Sequence, residues 1–300
     1  MHDAYRLGAS LYVPAIHPKL KDALRGLSCG RTRSLIACTE DSIGEADVER
    51  ALANLSRVLP QLPQRDQGPL RFIRPRNAAV LAEILVMDGI ERVHGFVIPK
   101  ADVDTLGPYE AALGRHDHWL MPTLETSAVF DPLALRELRQ RLTAPAIKRH
   151  ILALRIGGND LLKMLGLRRT RGVSIYQTPL GLLIPQLVLA FRAFGIHLTA
   201  PVFDFIDDPQ TLADEVRQDV QMGLIGKTAI HPDQVAVIEA GLAVTEHELE
   251  LARQILAPRR EAVFRLHGAM IEKAVHQEWA YAILARAGSD SVGVAMEASG

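Results

Sequence analysis

Short apolar stretches recur along this chain, each stopping at a polar side chain and giving way to a segment with helical spacing. The clearest pair frames residues 119–160. Trp119-Leu120-Met121-Pro122-Thr123-Leu124 stops at Glu125, and His150-Ile151-Leu152-Ala153-Leu154-Arg155-Ile156 runs through Gly157-Gly158 to Asn159-Asp160. Between them, residues 133–142 carry the apolar spacing of an amphipathic helix, with Pro132 near its start. A strand, a helix and a strand of this length form a right-handed crossover, so the two strands run parallel and end on the same side. Glu125 and Asp160 then converge. Oxygen ligands in a cleft with room for water suit Mg²⁺. On spacing alone the same residues also fit a helix-capping Glu and a turn closed by an Asx side chain.

The pattern continues over the rest of the chain. Residues 10–13, 34–38, 70–74, 95–98, 195–200 and 224–232 read as further strands, with helices over 44–59 and 78–87 among those between them. Eight strands alternating with helices over roughly 230 residues predict a (β/α)₈ TIM barrel. An open doubly wound sheet is the alternative. In a barrel the chemistry sits at the C-terminal ends of the strands. The polar groups there are Glu40, Asp41, Arg74, Arg76, Lys100, Glu125, Asp160, Asp204 and His231. Gly157-Gly158 lacks the spacing of a dinucleotide loop, and residues 223–228 lack the full frame of a phosphate loop.

Composition excludes several classes. A net charge of −1 gives no footprint for nucleic acid, and 48% hydrophobic residues are ample for a large core. Cys29 and Cys38 are the only cysteines, which argues against a disulfide framework or a zinc site. No apolar run reaches the roughly 18 residues of a membrane helix, and the N-terminus lacks a signal-peptide core, so a cytoplasmic protein is expected. Past Pro232 the chain reads as two helices, residues 232–257 and 259–287. The second carries Leu266, Met270, Val275, Trp279 and Ile283 as an apolar side for the barrel or another subunit. The expected organisation is a barrel over 1–240, a helical extension over 241–287 and a disordered tail over 288–300.

At this point the residues resemble a known family. Leu11-Tyr-Val-Pro14, Glu40-Asp41, Arg74, Pro99-Lys100, Leu124-Glu-Thr126, Gly157-Gly-Asn-Asp160 and the Gly-Lys-Thr-Ala-Ile-His-Pro-Asp-Gln run at 226–234 occur in the order seen in the HpcH/HpaI aldolase/citrate lyase family. These are the citrate lyase beta-subunit-like enzymes of the phosphoenolpyruvate/pyruvate barrel superfamily, and the chain looks most like their C–C bond lyase branch. The resemblance implies a lyase or aldolase dependent on Mg²⁺ (or Mn²⁺) that acts through an enolate on a 3-hydroxy acid or its acyl-coenzyme A thioester. It implies Glu125 and Asp160 as metal ligands and Arg74 as the group on the substrate's carboxylate or carbonyl oxygen. Glu40 and Asp41 are the expected catalytic acids beside Arg74, and Arg76, Lys100, Gly158 and Pro201 the expected substrate contacts. It also implies a homo-oligomer, trimeric or hexameric, whose partner is a small molecule rather than nucleic acid or a membrane.

The sequence departs from that pattern in three places. Cys38 replaces an acid after the second strand, Ala15 replaces a glycine after Pro14, and residues 245–300 contain no recognisable general acid/base motif. Coenzyme A use is therefore the less secure expectation. The alternatives are an aldolase on free 2-oxo acids such as pyruvate, and a barrel that only binds or assembles. Lys227 is a Schiff-base candidate set aside in favour of the metal. His231 is expected to bond backbone and shape the last loop, and His116 and His118 to face solvent at the opposite barrel end.

Overall fold

The computed structural model describes residues 2–27, 30, 32–258 and 261–295; Cys29 and residues 296–300 of the expected tail lie outside them. Eight parallel strands form one sheet: β1 (Gly8–Pro14), β2 (Ser34–Cys38), β3 (Leu70–Arg74), β4 (Gly95–Ile98), β5 (Trp119–Leu124), β6 (Leu154–Ile156), β7 (Leu198–Thr199) and β8 (Gly226–Ala229). Each strand neighbours its successor, β8 returns to β1, and hydrogen bonds from Ala200 N to Gly226 O and from Ile225 N to Leu198 O close the ring. The architecture is the TIM barrel read from the alternation of strands and helices, not the open sheet. Four of the strands, β2 to β5, run over the expected residues. β6, β7 and β8 are shorter than expected; ahead of β6, residues 150–153 form only isolated backbone contacts to Leu120.

Why these strands are continuous apolar runs follows from burial on both faces. Leu35 and Ala37 of β2 point outward and pack with helix residues such as Leu55 and Leu81. Ile36, between them, points inward with Phe72, Val97 and Met121. The N-terminal 3-10 helix His2–Leu7 plugs the bottom of the barrel with Ala4, Tyr5 and Leu7. The covering helices start where short polar side chains satisfy their free N–H groups: Asn77 for Ala78–Leu85, Asp102 for Val103–Leu113, Asp131 for Pro132–Thr143 and Asp208 for Pro209–Gln221.

The C-terminal third differs from expectation. The helix expected over 232–257 is two, Pro232–Leu242 and Glu246–Leu256, because Thr245 and Glu248 form a capping box that starts a new one. The helix expected from 259 begins with a β-hairpin, β9 (Val263–Leu266) and β10 (Ala269–Glu272). His267 and Gly268 both take positive φ, +47° and +85°, the geometry that lets two strands reverse over two residues. The last helix, Lys273–Ala295, passes through Gly288 where a tail was expected; its alanine-containing sequence has no proline, and glycine weakens a helix by only about 1 kcal/mol. Of the five residues expected on one apolar side, only Ile283 is buried, packed with Ala252, Ile255, Ile271 and Ala280, while Met270 and Val275 are exposed. Ala282 and Ala285 lie against the barrel's bottom plug, so the helix covers the end remote from Glu125. No described helix is long and apolar enough to cross a membrane.

Candidate active site

Parallel strands deliver their last residues to one rim, and there a cavity of about 280 Å³ opens. Tyr12, Asp41, Arg74, Thr123, Glu125, Arg155, Gly157, Gly158, Asn159, Asp160, Asp204 and Thr228 are among the residues lining it. Six of the expected site residues thus share one space: Asp41, Arg74, Glu125, Gly158, Asp160 and Asp204.

Arg74, at the end of β3, is the hub. Its Nη2 lies 2.7 Å from Glu40 Oε2, 3.4 Å from Asp41 Oδ2 and 3.0 Å from Glu125 Oε1, and its Nε donates to Glu40 Oε2 at 2.8 Å. A guanidinium is the one cation with enough donors in a rigid plane to hold three carboxylates together. Burial works against the charge, but Glu125 and Glu40 outweigh it and hold the Arg74 pKa above its ordinary value. Burial likewise pushes the Glu40 carboxyl up, yet Arg74, Asp41 and Lys100 reverse this and leave it at about 2. Asp41 moves the other way. Its carboxyl is raised by partial burial and by the adjacent Glu40.

Glu125 follows β5 and is 4% exposed. Both hydrogen bonds it receives, from Arg74 Nη2 and from the Lys100 backbone N–H, go to Oε1. Oε2 accepts none from the described residues. It lies over Gly157, where a Cβ would sit 2.3 Å from Oε2. Burial raises the Glu125 carboxyl, Arg74 and the Lys100 N–H oppose that, and the charges of Asp160 and Glu40 add to it. Asp160 stands in the first turn of the helix Gly158–Met164, half-buried, with no hydrogen-bond or ion-pair partner among the described residues. Gly158 is pressed against Pro201, with 2.7 Å between its would-be Cβ and Pro201 Cβ.

These residues fit Mg²⁺. Two carboxylates bring unengaged oxygens to one cavity, and Mg²⁺ is usually held by one or two carboxylates while it keeps several waters. Among the described residues no group of three or more His, Cys, Asp and Glu side chains is arranged to hold a metal ion, so the imidazole and thiolate cages that suit zinc have no counterpart.

The remaining expected residues have other surroundings. Lys100 Nζ pairs with Glu40 Oε1 at 2.7 Å, and its positive φ of 48° turns its N–H toward Glu125. Arg76 donates to the carbonyls of Glu40 and Ile43 and so holds the loop after β2, outside the cavity lining. Lys227 faces outward, where Glu215 and Asp219 hold it at 2.8 and 2.9 Å. His231 accepts from the Asp233 N–H at 3.3 Å and starts the helix Pro232–Leu242, as expected of a loop-shaping residue. His118 corrects the reading of it as solvent-facing: it is 4% exposed, its Nε2 lies 3.1 Å from Ile90 O, and it packs on Phe96 because the chain tucks beneath β4 there. His116 is half-buried beside it.

Several lining residues were not among the expected ones, Tyr12, Ser42, Thr123, Arg155, Asn159 and Thr228 among them. Asn159 Nδ2 donates to Asp204 Oδ1 at 2.9 Å and ties the rim of β6 to that of β7. The available signal was an arginine inside an apolar strand, Ala153-Leu154-Arg155-Ile156.

The C–C bond lyase model of the TIM-barrel fold matches residues 1–292. The chain belongs to that family. Among its curated relatives, the (3S)-malyl-CoA thioesterase of Cereibacter sphaeroides is 26% identical over 274 residues, 87% of this chain and 86% of the relative. The L-malyl-CoA/beta-methylmalyl-CoA lyase of Rhodobacter capsulatus is 28% identical over 211 residues, 63% of this chain and 64% of the relative. Among solved structures, a citrate lyase from Burkholderia xenovorans superposes with a TM-score of 0.73 at 17% identity, over 95% of this chain and 92% of that one. CitE from Mycobacterium tuberculosis, in complex with magnesium, acetoacetate and coenzyme A, does so with 0.68 at 21%, over 94% and 99%. For a C–C bond lyase, a cavity at the C-terminal rim to which two carboxylates bring unengaged oxygens is the expected place for the chemistry.

Proposed function

We propose that this C–C bond lyase cleaves a 3-hydroxyacyl-coenzyme A thioester, or forms it in reverse, with Mg²⁺ held by Glu125 and Asp160. The observation that carries the reading is Glu125 fixed at Oε1 by Arg74 and Lys100 with Oε2 left unengaged, in one cavity with Asp160. Bound Mg²⁺ would supply Lewis acidity at the substrate's oxygens.

The protein's own groups supply the rest. A carboxylate takes the proton of the 3-hydroxyl as that carbon becomes a carbonyl. The electrons of the C2–C3 bond pass to the thioester carbonyl to give an enolate, which is then protonated at C2. Asp41 lines the cavity and has its carboxyl raised by burial and Glu40, so it is placed to hold that proton. Arg74 keeps three acids and the developing negative charge in one fixed field, at no cost of reorganisation during the reaction.

Incubation with malyl-coenzyme A and Mg²⁺ tests this reading. Acetyl-coenzyme A and glyoxylate, abolished by chelation, are the expected products. Free malate and coenzyme A would point instead to thioester hydrolysis, the activity named for the 26%-identical relative. Turnover of free 2-oxo acid adducts alone would favour an aldolase without coenzyme A. No turnover and no Mg²⁺ binding would remove the lyase assignment from this site.

A further inference from the structure

The end of the barrel remote from Glu125 is capped by the N-terminal plug and the last helix, but it is not filled. Two cavities lie there, of about 230 and 420 Å³, and they share Gly195 and His197. Trp119 lines the first and opens the strand that Glu125 follows. At about 3.3 Å per residue, that places the cavity roughly 20 Å from the rim. Donors dominate the walls. Lys148 and Arg149 line the first cavity and Arg192 the second, and none of the three has a carboxylate partner among the described residues. Instead they donate to the Phe194 carbonyl at 3.0 Å, to His150 Nε2 at 3.1 Å and to His197 Nδ1. Among the described residues, Glu278 on the last helix is the one acid in either lining.

His197 is the second observation. It is 7% exposed and lines both cavities. A guanidinium can only donate, so Nδ1 accepts from Arg192 and the neutral ring carries its proton on Nε2. Burial and Arg192 push this imidazole down to about 4, which keeps it neutral at ordinary pH. No oxygen or nitrogen of the described residues accepts from Nε2. A donor left without an acceptor on so buried a ring is costly, and here three cations surround it. Trp119 in one cavity and Tyr5 and Tyr281 in the other add flat apolar walls.

We propose that the barrel bottom is an anion site that takes the phosphate group of a small molecule, free or esterified, and staples the last helix to the barrel. Phosphate offers several acceptor oxygens at once to donors that converge from different elements. Lys148 and Arg149 come from the segment ahead of β6, Arg192 and His197 flank the turn into β7, and the helix carrying Glu278 and Tyr281 closes the far side. A bound phosphate bridges pieces of chain that otherwise meet through small apolar side chains such as Ala4, Ala282 and Ala285. The site does not depend on the chemistry at the rim.

Calorimetric titration of the Mg²⁺-free protein with inorganic phosphate, AMP and adenosine tests the site. The proteins compared are the wild type, the Lys148→Ala, Arg149→Ala double variant, Arg192→Met and, as a control, Arg50→Ala, an exposed arginine on the helix Val48–Val58. Loss of charge-assisted contacts predicts phosphate binding about 10- to 100-fold weaker in the double variant and in Arg192→Met, and unchanged in the control. Lys148 and Arg149 are exposed, so the double variant keeps the fold and decides the matter if Arg192→Met does not. Phosphate should also raise the melting temperature of the wild type more than that of the double variant. AMP binding tighter than phosphate identifies an ester whose ring uses the aromatic walls; phosphate binding without AMP identifies a free oxyanion. If neither binds, if both bind all four proteins equally, or if adenosine binds as tightly as AMP, the site falls.

Discussion

The backbone N–H of Lys100 donates to Glu125 Oε1 at 2.8 Å, from a residue held at a φ of +48°. Non-glycine residues avoid that region unless their surroundings over-determine it. Here the Nζ–Glu40 ion pair anchors one end of Lys100 while the N–H anchors Glu125, so the loop after β4 locks the orientation of a carboxylate on β5. Arg74 approaches the same Oε1, and the outcome is a carboxylate that presents its other oxygen.

Glu125→Gln keeps the volume and the acceptor for Arg74 but removes the charge. Mg²⁺ affinity by calorimetry is expected to fall by more than roughly 100-fold, since even partners behind a metal ligand are worth about 10- to 100-fold. The fold should survive, because Glu40 and Asp41 still face Arg74. Undiminished Mg²⁺ binding would show that Glu125 is a structural acid.

Gly157→Ala is a steric test of the same oxygen. Gly157 has an ordinary φ of −85°, so strain in the backbone is not the issue. The new methyl would lie 2.3 Å from Glu125 Oε2 and 2.4 Å from its Cβ. The carboxylate must move, at a cost of about 1–3 kcal/mol typical of overpacking, and Mg²⁺ affinity should drop with it. Gly44→Ala, whose added Cβ would come no nearer than 3.9 Å to Asp47 Oδ2, is the control and should be neutral in thermal melts.

Acid sensitivity should come from the opposite end of the barrel. Burial pushes the imidazoles of His94, His118 and His197 from 6.5 down to about 4. The unfolded chain therefore binds protons between those values that the native state refuses. Their contribution to stability is intact above pH 6.5 and declines as the pH falls toward 4, by at most roughly 3 kcal/mol for each residue. Urea denaturation at pH 7.5, 6 and 5 checks the slope, a window in which most carboxylates stay ionised. A flat profile would mean that these rings protonate in place.

Lys227→Met should destabilise without touching the cavity chemistry directly. It strands Glu215 and Asp219, both completely buried, and removing one partner of such a group costs about 3–5 kcal/mol. Arg169, on the same Glu215, also donates to Val202 O, so the rim near Asp204 should loosen as well. Borohydride reduction in the presence of pyruvate should leave Lys227 unmodified; a trapped adduct would restore the Schiff-base reading.

What the sequence determined by itself was the order of parts. Period and punctuation identified all eight strands, four of them to the residue. The rule that parallel strands end together placed Asp41, Arg74, Glu125 and Asp160 at one rim, because a barrel converts strand ends into neighbours whatever the loops do. It could not show how the charges divide there. Arg74 saturated by three acids and Arg155 hydrogen-bonded to hydroxyls are decided by distances across the barrel, between residues up to 145 positions apart. The same holds for His118, whose burial depends on β4 lying over it, and for the hairpin at residues 263–272, where two residues at positive φ turn a segment with helical spacing into paired strands. Local pattern fixes which residues are available; only closure of the ring fixes which of them face a partner and which face a cavity, because partnership is a property of space and the sequence records only order.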